Sequence, residues 1–224
     1  MLKIIHSKDF DGMSRKAAET AAYEINSAKK QFCLAISGGS SVTGLLEELA
    51  GRKAVWPAVN AFMADERLVP ITDAGSNYRQ ANELLFSKVR GIHAFPFEME
   101  KGLSAYEARF LSVTNGKLDL VMLGAGEDGH IASLFPNSPA VGNNSAGYIE
   151  VHDAPKPPAS RISLSPKAIW HAGMVILLFA SETKRPAFEK FMDKNVSVAN
   201  CPAKIALKAK KCIVFTVFGG KNAK

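Results

Sequence analysis

The stretch LGAGEDGHIASLFP, Leu123 to Pro136, decides how the rest of the chain is read. It closes the apolar run Leu118-Asp119-Leu120-Val121-Met122-Leu123, which reads as a buried strand. Behind that strand come Gly124, Gly126 and Gly129, the acidic pair Glu127-Asp128, and a lone His130. The segment after His130 reads as a short helix stopping at Pro136. A strand that empties into a glycine-rich turn carrying Asp and His is where an α/β sheet places its chemistry.

The same rhythm runs outward in both directions. Strands are expected at Leu2–Ile5, Phe32–Ile36, Asn60–Ala64, Val175–Ala180 and Ile213–Phe218. Helices are expected at Met13–Ala28, Val42–Leu49 (closed by Gly51), Ser76–Phe86 and Thr183–Met192. Continuous apolar strands separated by amphipathic helices imply a mainly parallel, Rossmann-like α/β sheet with helices on both faces. There is no internal repeat and no interdomain linker, so residues 1–224 are expected to form one domain. Pro136–Gly147 and DAPKPPAS, Asp153–Ser160, read as loops around a site.

Composition narrows the function. No apolar stretch approaches a membrane span, and the N-terminus MLKIIHSKDF lacks a signal-peptide core. Cys33, Cys201 and Cys212 match no metal spacing and form no even disulfide framework, which suits a reducing cytoplasm. Cys33 lies in an apolar run and reads as a buried thiol. The net charge is +7, with much of the excess at Lys204, Lys208, Lys210, Lys211, Lys221 and Lys224. No helix-turn-helix, zinc-finger spacing or aromatic-rich basic stripe accompanies it, so a solvated basic face is expected, with no nucleic-acid or membrane partner; the second reading is that the positive field attracts a small anionic substrate.

Several residues qualify for chemistry. SGGSS, Ser37–Ser41, sits between a strand and a helix, where Gly38 and Gly39 allow a tight turn that presents amides to an anion. It is neither a P-loop nor G-x-G-x-x-G, and its plain reading is a turn with Ser40 or Ser41 as helix cap. In ADERLVP, Ala64–Pro70, Arg67 can fork onto a phosphate or pair with an acidic neighbour, and Ser76 reads as a helix cap. An imidazole with an ordinary pKa near ~6.5, backed by a carboxylate two residues away, is equipped as a general base. Asp128 and His130 supply that pair, whereas His6, His93, His152 and His171 lack such a context. Arg161 leads a short strand after the proline-rich loop, and Lys184 stands at a helix start where its charge opposes the dipole. With no G-x-S-x-G and no H-E-x-x-H, neither a serine acyl-enzyme nor a zinc peptidase is expected.

Taken in order and spacing, SGGSS, ADER, SNYRQANELLF, LGAGEDGHIASLFP and SRISLSPKAI resemble the glucosamine-6-phosphate isomerase/6-phosphogluconolactonase family from about Asp9 to Met192. The most specific match is G-x-D-G-H-x-x-S-L-F-P at Gly126–Pro136. Ser133-Leu134-Phe135-Pro136 stands where the deaminase branch carries F-N-E-P, and Asp65-Glu66-Arg67 where it carries Asp-Glu-Tyr; both resemble the lactonase branch. The resemblance implies hydrolysis of 6-phosphoglucono-δ-lactone to 6-phosphogluconate with no metal and no organic cofactor. It implies His130 as the base that activates water and Asp128 as its orienting partner. It also implies a substrate lined by Gly38, Gly39 and Ser40, with Arg67 and Lys184 holding phosphate and Arg161 in the site. A monomer or weak dimer is expected. The chain departs from the family at IVFTVFGGKNAK, where an aromatic-Asp ending is usual. Two other readings remain at this stage: a deaminase/isomerase acting on an amino-sugar phosphate, and a sugar-phosphate sensor that binds without turnover.

Overall fold

The computed structural model describes residues 1–218. Lys221 and Lys224, counted above in the basic C-terminal end, lie outside the described residues. Along the chain run β1 (Leu2–His6), α1 (Phe10–Ser27), β2 (Phe32–Ile36), α2 (Thr43–Ala50), β3 (Val59–Met63), β4 (Asp65–Arg67), α3 (Asn77–Leu84) and β5 (His93–Phe95). They continue with α4 (Gly102–Thr114), β6 (Leu120–Gly124), β7 (Tyr148–Val151), β8 (Arg161–Leu164), α5 (Pro166–Trp170), β9 (Met174–Phe179), α6 (Arg185–Met192) and β10 (Cys212–Thr216).

Among the described residues, seven strands form one parallel sheet in the order β1-β10-β9-β6-β2-β3-β5. Side chains alternate across each strand, so each face packs its own core. Leu34, Ile36, Met122, Ile176 and Leu178 meet α1 and α2 on one face. Ala35, Phe62, Val121, Leu123 and Leu177 meet α4 to α6 and a smaller sheet on the other. Burial on both faces explains why these strands read as continuous apolar runs. The strand order reverses between β2 and β6, so the loops leaving their carboxyl ends part and open a crevice.

The smaller sheet is antiparallel, in the order β4-β8-β7, and the expected layout did not contain it. The chain leaves the parallel sheet at Ala64, whose N–H donates to Ile36 O while its carbonyl accepts from Leu164 N. Tyr106 Oη accepts the Met63 amide and Tyr148 Oη donates to the Met63 carbonyl, satisfying the last peptide of β3 from the side.

Several boundaries differ from expectation. Helix α1 begins three residues early because Asp9 caps it, its carboxylate accepting from Gly12 N at 2.8 Å. Helix α2 starts at Thr43 after Val42 with no side-chain cap, so neither Ser40 nor Ser41 caps it. Gly51 follows α2 with φ −78°, an ordinary right-handed conformation. Ser76 does cap α3, accepting from Arg79 N at 3.1 Å. The expected helix after His130 is absent: two tight turns take its place, with Leu134 N donating to Ile131 O and Ala132 at φ +50°. Ser133 is drawn off a helical path by side-chain bonds to the small sheet.

Candidate functional site

The crevice is stitched at its base. Ser37 N donates to Met122 O at 2.9 Å, and Gly124 N donates to Ser37 Oγ at 3.1 Å, locking the ends of β2 and β6 together. Above this seam lies a cleft of about 510 Å³. The segments after β2 and β6, the face of β4 and β8, the proline-rich loop and the start of α6 all border it. His130 and Asp128, the loop residues Gly38, Gly39 and Ser40, and the cations Arg67, Arg161 and Lys184 all line this one cleft.

His130 is held on three sides. Its Nδ1 lies 2.6 Å from Asp128 Oδ1, and the same oxygen accepts the His130 backbone N–H at 3.0 Å. The imidazole packs on the Phe135 ring with centroids 4.6 Å apart. Gly126 lies under its edge, where a Cβ would fall 2.1 Å from Nδ1. Burial pushes the Asp128 carboxyl up, but the hydrogen bonds and charge of His130 outweigh it, so Asp128 titrates below the usual carboxylate value. An ionised Asp128 accepts the Nδ1 proton, which leaves the Nε2 lone pair facing outward. Among the described residues, Nε2 has no hydrogen-bond partner.

The SGGSS loop is more committed than its sequence suggests. The Gly39 amide donates to Gln80 Oε1 at 2.8 Å, so it is not available to an anion in this arrangement. Gly39 itself takes φ +89°, a conformation that favours glycine. Gly38 is required for a different reason: a Cβ there would stand 2.0 Å from Asn77 Oδ1. The first turn of α3 therefore props the loop from below.

The cations are grouped by topology. Arg67 and Arg161 are direct cross-strand partners in the β4/β8 pair, an arrangement that disfavours like charges. Arg67 Nη1 donates to Gly75 O at 2.5 Å, while its buried Nε has no acceptor among the described residues. Arg161 donates to the Pro158 and Lys156 carbonyls at 3.1 and 2.9 Å and lies 5.5 Å over Phe135. Its pKa is lowered by burial and by Arg67, against an opposing pull from Asp65. Lys184 reaches back from the start of α6 and donates to Ser41 Oγ. Burial lowers its pKa, opposed by Glu127.

Sequence reasoning missed other parts of this site. Glu66 is 1% exposed and accepts from the backbone amides of Arg67, Asn77 and Tyr78 and from Ser76 Oγ. It ties β4 to α3 and so fixes both Arg67 and Asn77. Its pKa is raised by burial against the pull of those amides. Asp65 and Lys156 also line the cleft. The alternation of side chains along β4 was the available signal: Asp65 and Arg67 must share a face, with Glu66 on the other. Among the described residues, no group of three or more His, Cys, Asp or Glu is placed to hold a metal ion, and no helix is long and apolar enough to cross a membrane.

Comparison with known proteins bears on what such a cleft does. The family of glucosamine-6-phosphate isomerases/6-phosphogluconolactonase matches residues 8–215. The 6-phosphogluconolactonase of Borreliella burgdorferi is 33% identical over 198 residues, covering 84% of this chain and 84% of that protein. The 6-phosphogluconolactonase of Mycobacterium leprae is 32% identical over 217 residues, covering 88% of this chain and 87% of its own length. The crystal structure of 6-phosphogluconolactonase from Thermotoga maritima superposes with a TM-score of 0.77 at 26% identity, covering 96% of this chain and 98% of that one.

Proposed function

This chain belongs to the glucosamine-6-phosphate isomerase/6-phosphogluconolactonase family, and from that premise we propose that its cleft hydrolyses 6-phosphoglucono-δ-lactone to 6-phosphogluconate, a step of the pentose phosphate pathway, with His130 as general base. The observation that carries the base assignment is the His130–Asp128 pair. Its Nδ1 side is fixed at 2.6 Å on a carboxylate, and its other nitrogen is left to the cleft.

The chemistry follows from that geometry. Nε2 takes a proton from water as the oxygen attacks the lactone carbonyl. The imidazolium that forms is stabilised by ionised Asp128. Negative charge grows on the carbonyl oxygen, and the cationic lining of the cleft favours it. The imidazolium then returns its proton to the ring oxygen as the ester bond breaks, and the new carboxylic acid gives its remaining proton to solvent to become the carboxylate of the product. Arg67 and Arg161, side by side on one face, suit a dianionic phosphate, which relieves their mutual repulsion. Lys184 adds a third cation from the opposite wall, beside Ser41. Gly38 and Ser40 shape the floor for the sugar. Gly39 serves through its turn, because Gln80 occupies its amide.

On this reading the positive balance of the chain serves a small phosphorylated sugar and no nucleic acid. Three free, buried thiols suit a reducing cytoplasm. We propose a monomer or weak dimer as the working unit.

The test is lactone hydrolysis with substrate generated in situ, corrected for spontaneous hydrolysis, with ammonia release from glucosamine 6-phosphate followed in parallel. Rapid lactone loss without ammonia, abolished in His130→Ala, is the expected result. Ammonia release would move the chain to the deaminase branch. A His130→Ala variant with near wild-type turnover would remove His130 from its role.

A further inference from the structure

Asp65 puts a carboxylate among the cations of the cleft, and its field favours the charged form of Arg161 although no hydrogen bond joins the two. It is 4% exposed, it lines the cleft, and it shares the face of the small sheet that carries Arg67 and Arg161. No ion pair involves it among the described residues: both arginines spend hydrogen bonds on backbone carbonyls instead. Its backbone is fixed by Asn77 Nδ2, which donates to the Asp65 carbonyl at 2.8 Å. Its side chain is fixed through one oxygen only. Ser133 Oγ donates to Oδ2 at 2.8 Å, and Ser133 is itself fully buried and anchored by its N–H to Ser163 Oγ at 3.2 Å. Ser163 is the direct cross-strand partner of Asp65, so one serine of the D-G-H turn is clamped by both members of that pair. Among the described residues no donor reaches Oδ1.

A carboxylate offers about four acceptor positions, and Oδ1 is not among the enclosed side-chain atoms that lack a partner, so it opens to the cleft. Close to a bound phosphate it repels. What it attracts is a neutral hydroxyl donor, and a sugar lactone brings hydroxyls on C2, C3 and C4 beside its phosphate.

We propose that Asp65 is a specificity-determining residue, whose Oδ1 accepts a hydrogen bond from one ring hydroxyl of the sugar lactone while Ser133 holds Oδ2 in place. The inference rests on the lactonase reading of the cleft. It assigns the Ser of the S-L-F-P segment a positioning role, carried out through Asp65 and separate from the base.

The experiment compares kcat/KM for the parent lactone with the 2-, 3- and 4-deoxy lactones generated from the corresponding deoxy sugar phosphates. In the wild type one deoxy lactone should be poorer than the parent by about 10–100-fold, the worth of a hydrogen bond to a charged group. In Asp65→Asn the parent should fall toward that deoxy lactone and the ratio should shrink toward unity, with the other two ratios unmoved. Ser133→Ala keeps the carboxylate but frees it, and should reduce the same ratio by roughly 3–10-fold; it carries the test if Asp65→Asn does not fold. Retained lactone turnover with unchanged ratios in both variants overturns this proposal alone. A wild type that discriminates against none of the deoxy lactones also overturns it. A wild type that does not turn over the parent lactone overturns both readings together.

Discussion

Replacing Gly126 by alanine perturbs the base while leaving every reacting side chain unsubstituted. Gly126 is not among the residues with positive φ, so alanine meets no backbone strain there. Its new methyl would lie 2.1 Å from His130 Nδ1, 2.2 Å from Cε1 and 2.8 Å from Asp128 Oδ1. An ordinary contact is about 3.5 Å, so the ring must retreat by more than ~1 Å. Phe135 blocks one direction, but the imidazole is 29% exposed, so it swings outward. That swing breaks the 2.6 Å bond to Asp128 and moves Nε2 off line. A displacement of ~1 Å at a reacting group costs about 10²-fold in rate, and loss of the oriented tautomer extends the range to about 10⁴-fold. The fold should survive, because the strain escapes into the open cleft. The assay is lactone hydrolysis at saturating substrate beside a thermal melt. A melting temperature within a few degrees of wild type and a kcat down by ~10²–10⁴-fold is expected. Turnover within ~3-fold of wild type would show that the imidazole seat does not control the reaction.

Other substitutions separate binding, positioning and stability. Arg67→Ala should raise KM for the phosphorylated lactone by at least ~10-fold with little change in kcat, and should leave hydrolysis of unphosphorylated gluconolactone almost unaffected. An equal effect on both substrates would make Arg67 structural. Glu66→Ala strands the Arg67, Asn77 and Tyr78 amides and should cost about 2–4 kcal/mol in urea unfolding. Asp128 titrates below its ordinary value, so the stability it lends is present above ~4 and is lost as pH falls through its folded pKa. A small stability gap between wild type and Asp128→Asn at pH 7 should therefore close on acidification, and a gap that widens would contradict the assignment. Burial pushes the Cys33 thiol up to about 11 and Cys212 up to about 12, and raises Cys201 as well. Iodoacetamide at pH 8 should label none of the three until denaturant is added, as mass spectrometry would show.

Most of the parallel sheet was legible because doubly buried strands leave an unmistakable trace: β2 lies at Phe32–Ile36 as expected to the residue, and β1, β3, β6, β9 and β10 within two. The eight candidate residues line one cleft because the loops leaving β2 and β6 part where the strand order reverses, and β4 and β8 border that crevice with Arg67 and Arg161. What stayed hidden has local causes. Strands β4, β5 and β7 have only three or four residues each, too few for a period to show, whereas β8 is the short strand that Arg161 was expected to lead. Helix α4 leaves a weak trace although Tyr106, Phe110 and Thr114 repeat every four residues, because apolar Leu111 stands on the exposed side and blurs the period. The turn after His130 looked helical because Ile131, Ala132 and Leu134 suit a helix. The bonds that unwind it run from Ser133 to Asp65 and Ser163, which are remote in sequence. The capture of the Gly39 amide by Gln80 depends on where α3 docks, and no motif announces that.

Strand β1 has a consequence for how the protein is made. Among the described residues it sits at the edge of the sheet and pairs only with β10, Leu2 opposite Cys212 through His6 opposite Thr216. During synthesis at about 5–20 residues per second, β1 emerges first and waits roughly 10–40 s for its partner. Through that interval the β9 edge is open as well, since β10 is what covers it. The nascent chain is therefore most exposed to wrong pairing just before its last strand arrives. The two ends of the fold then close in one late event, with Met1 N donating to Lys210 O across 209 residues of sequence.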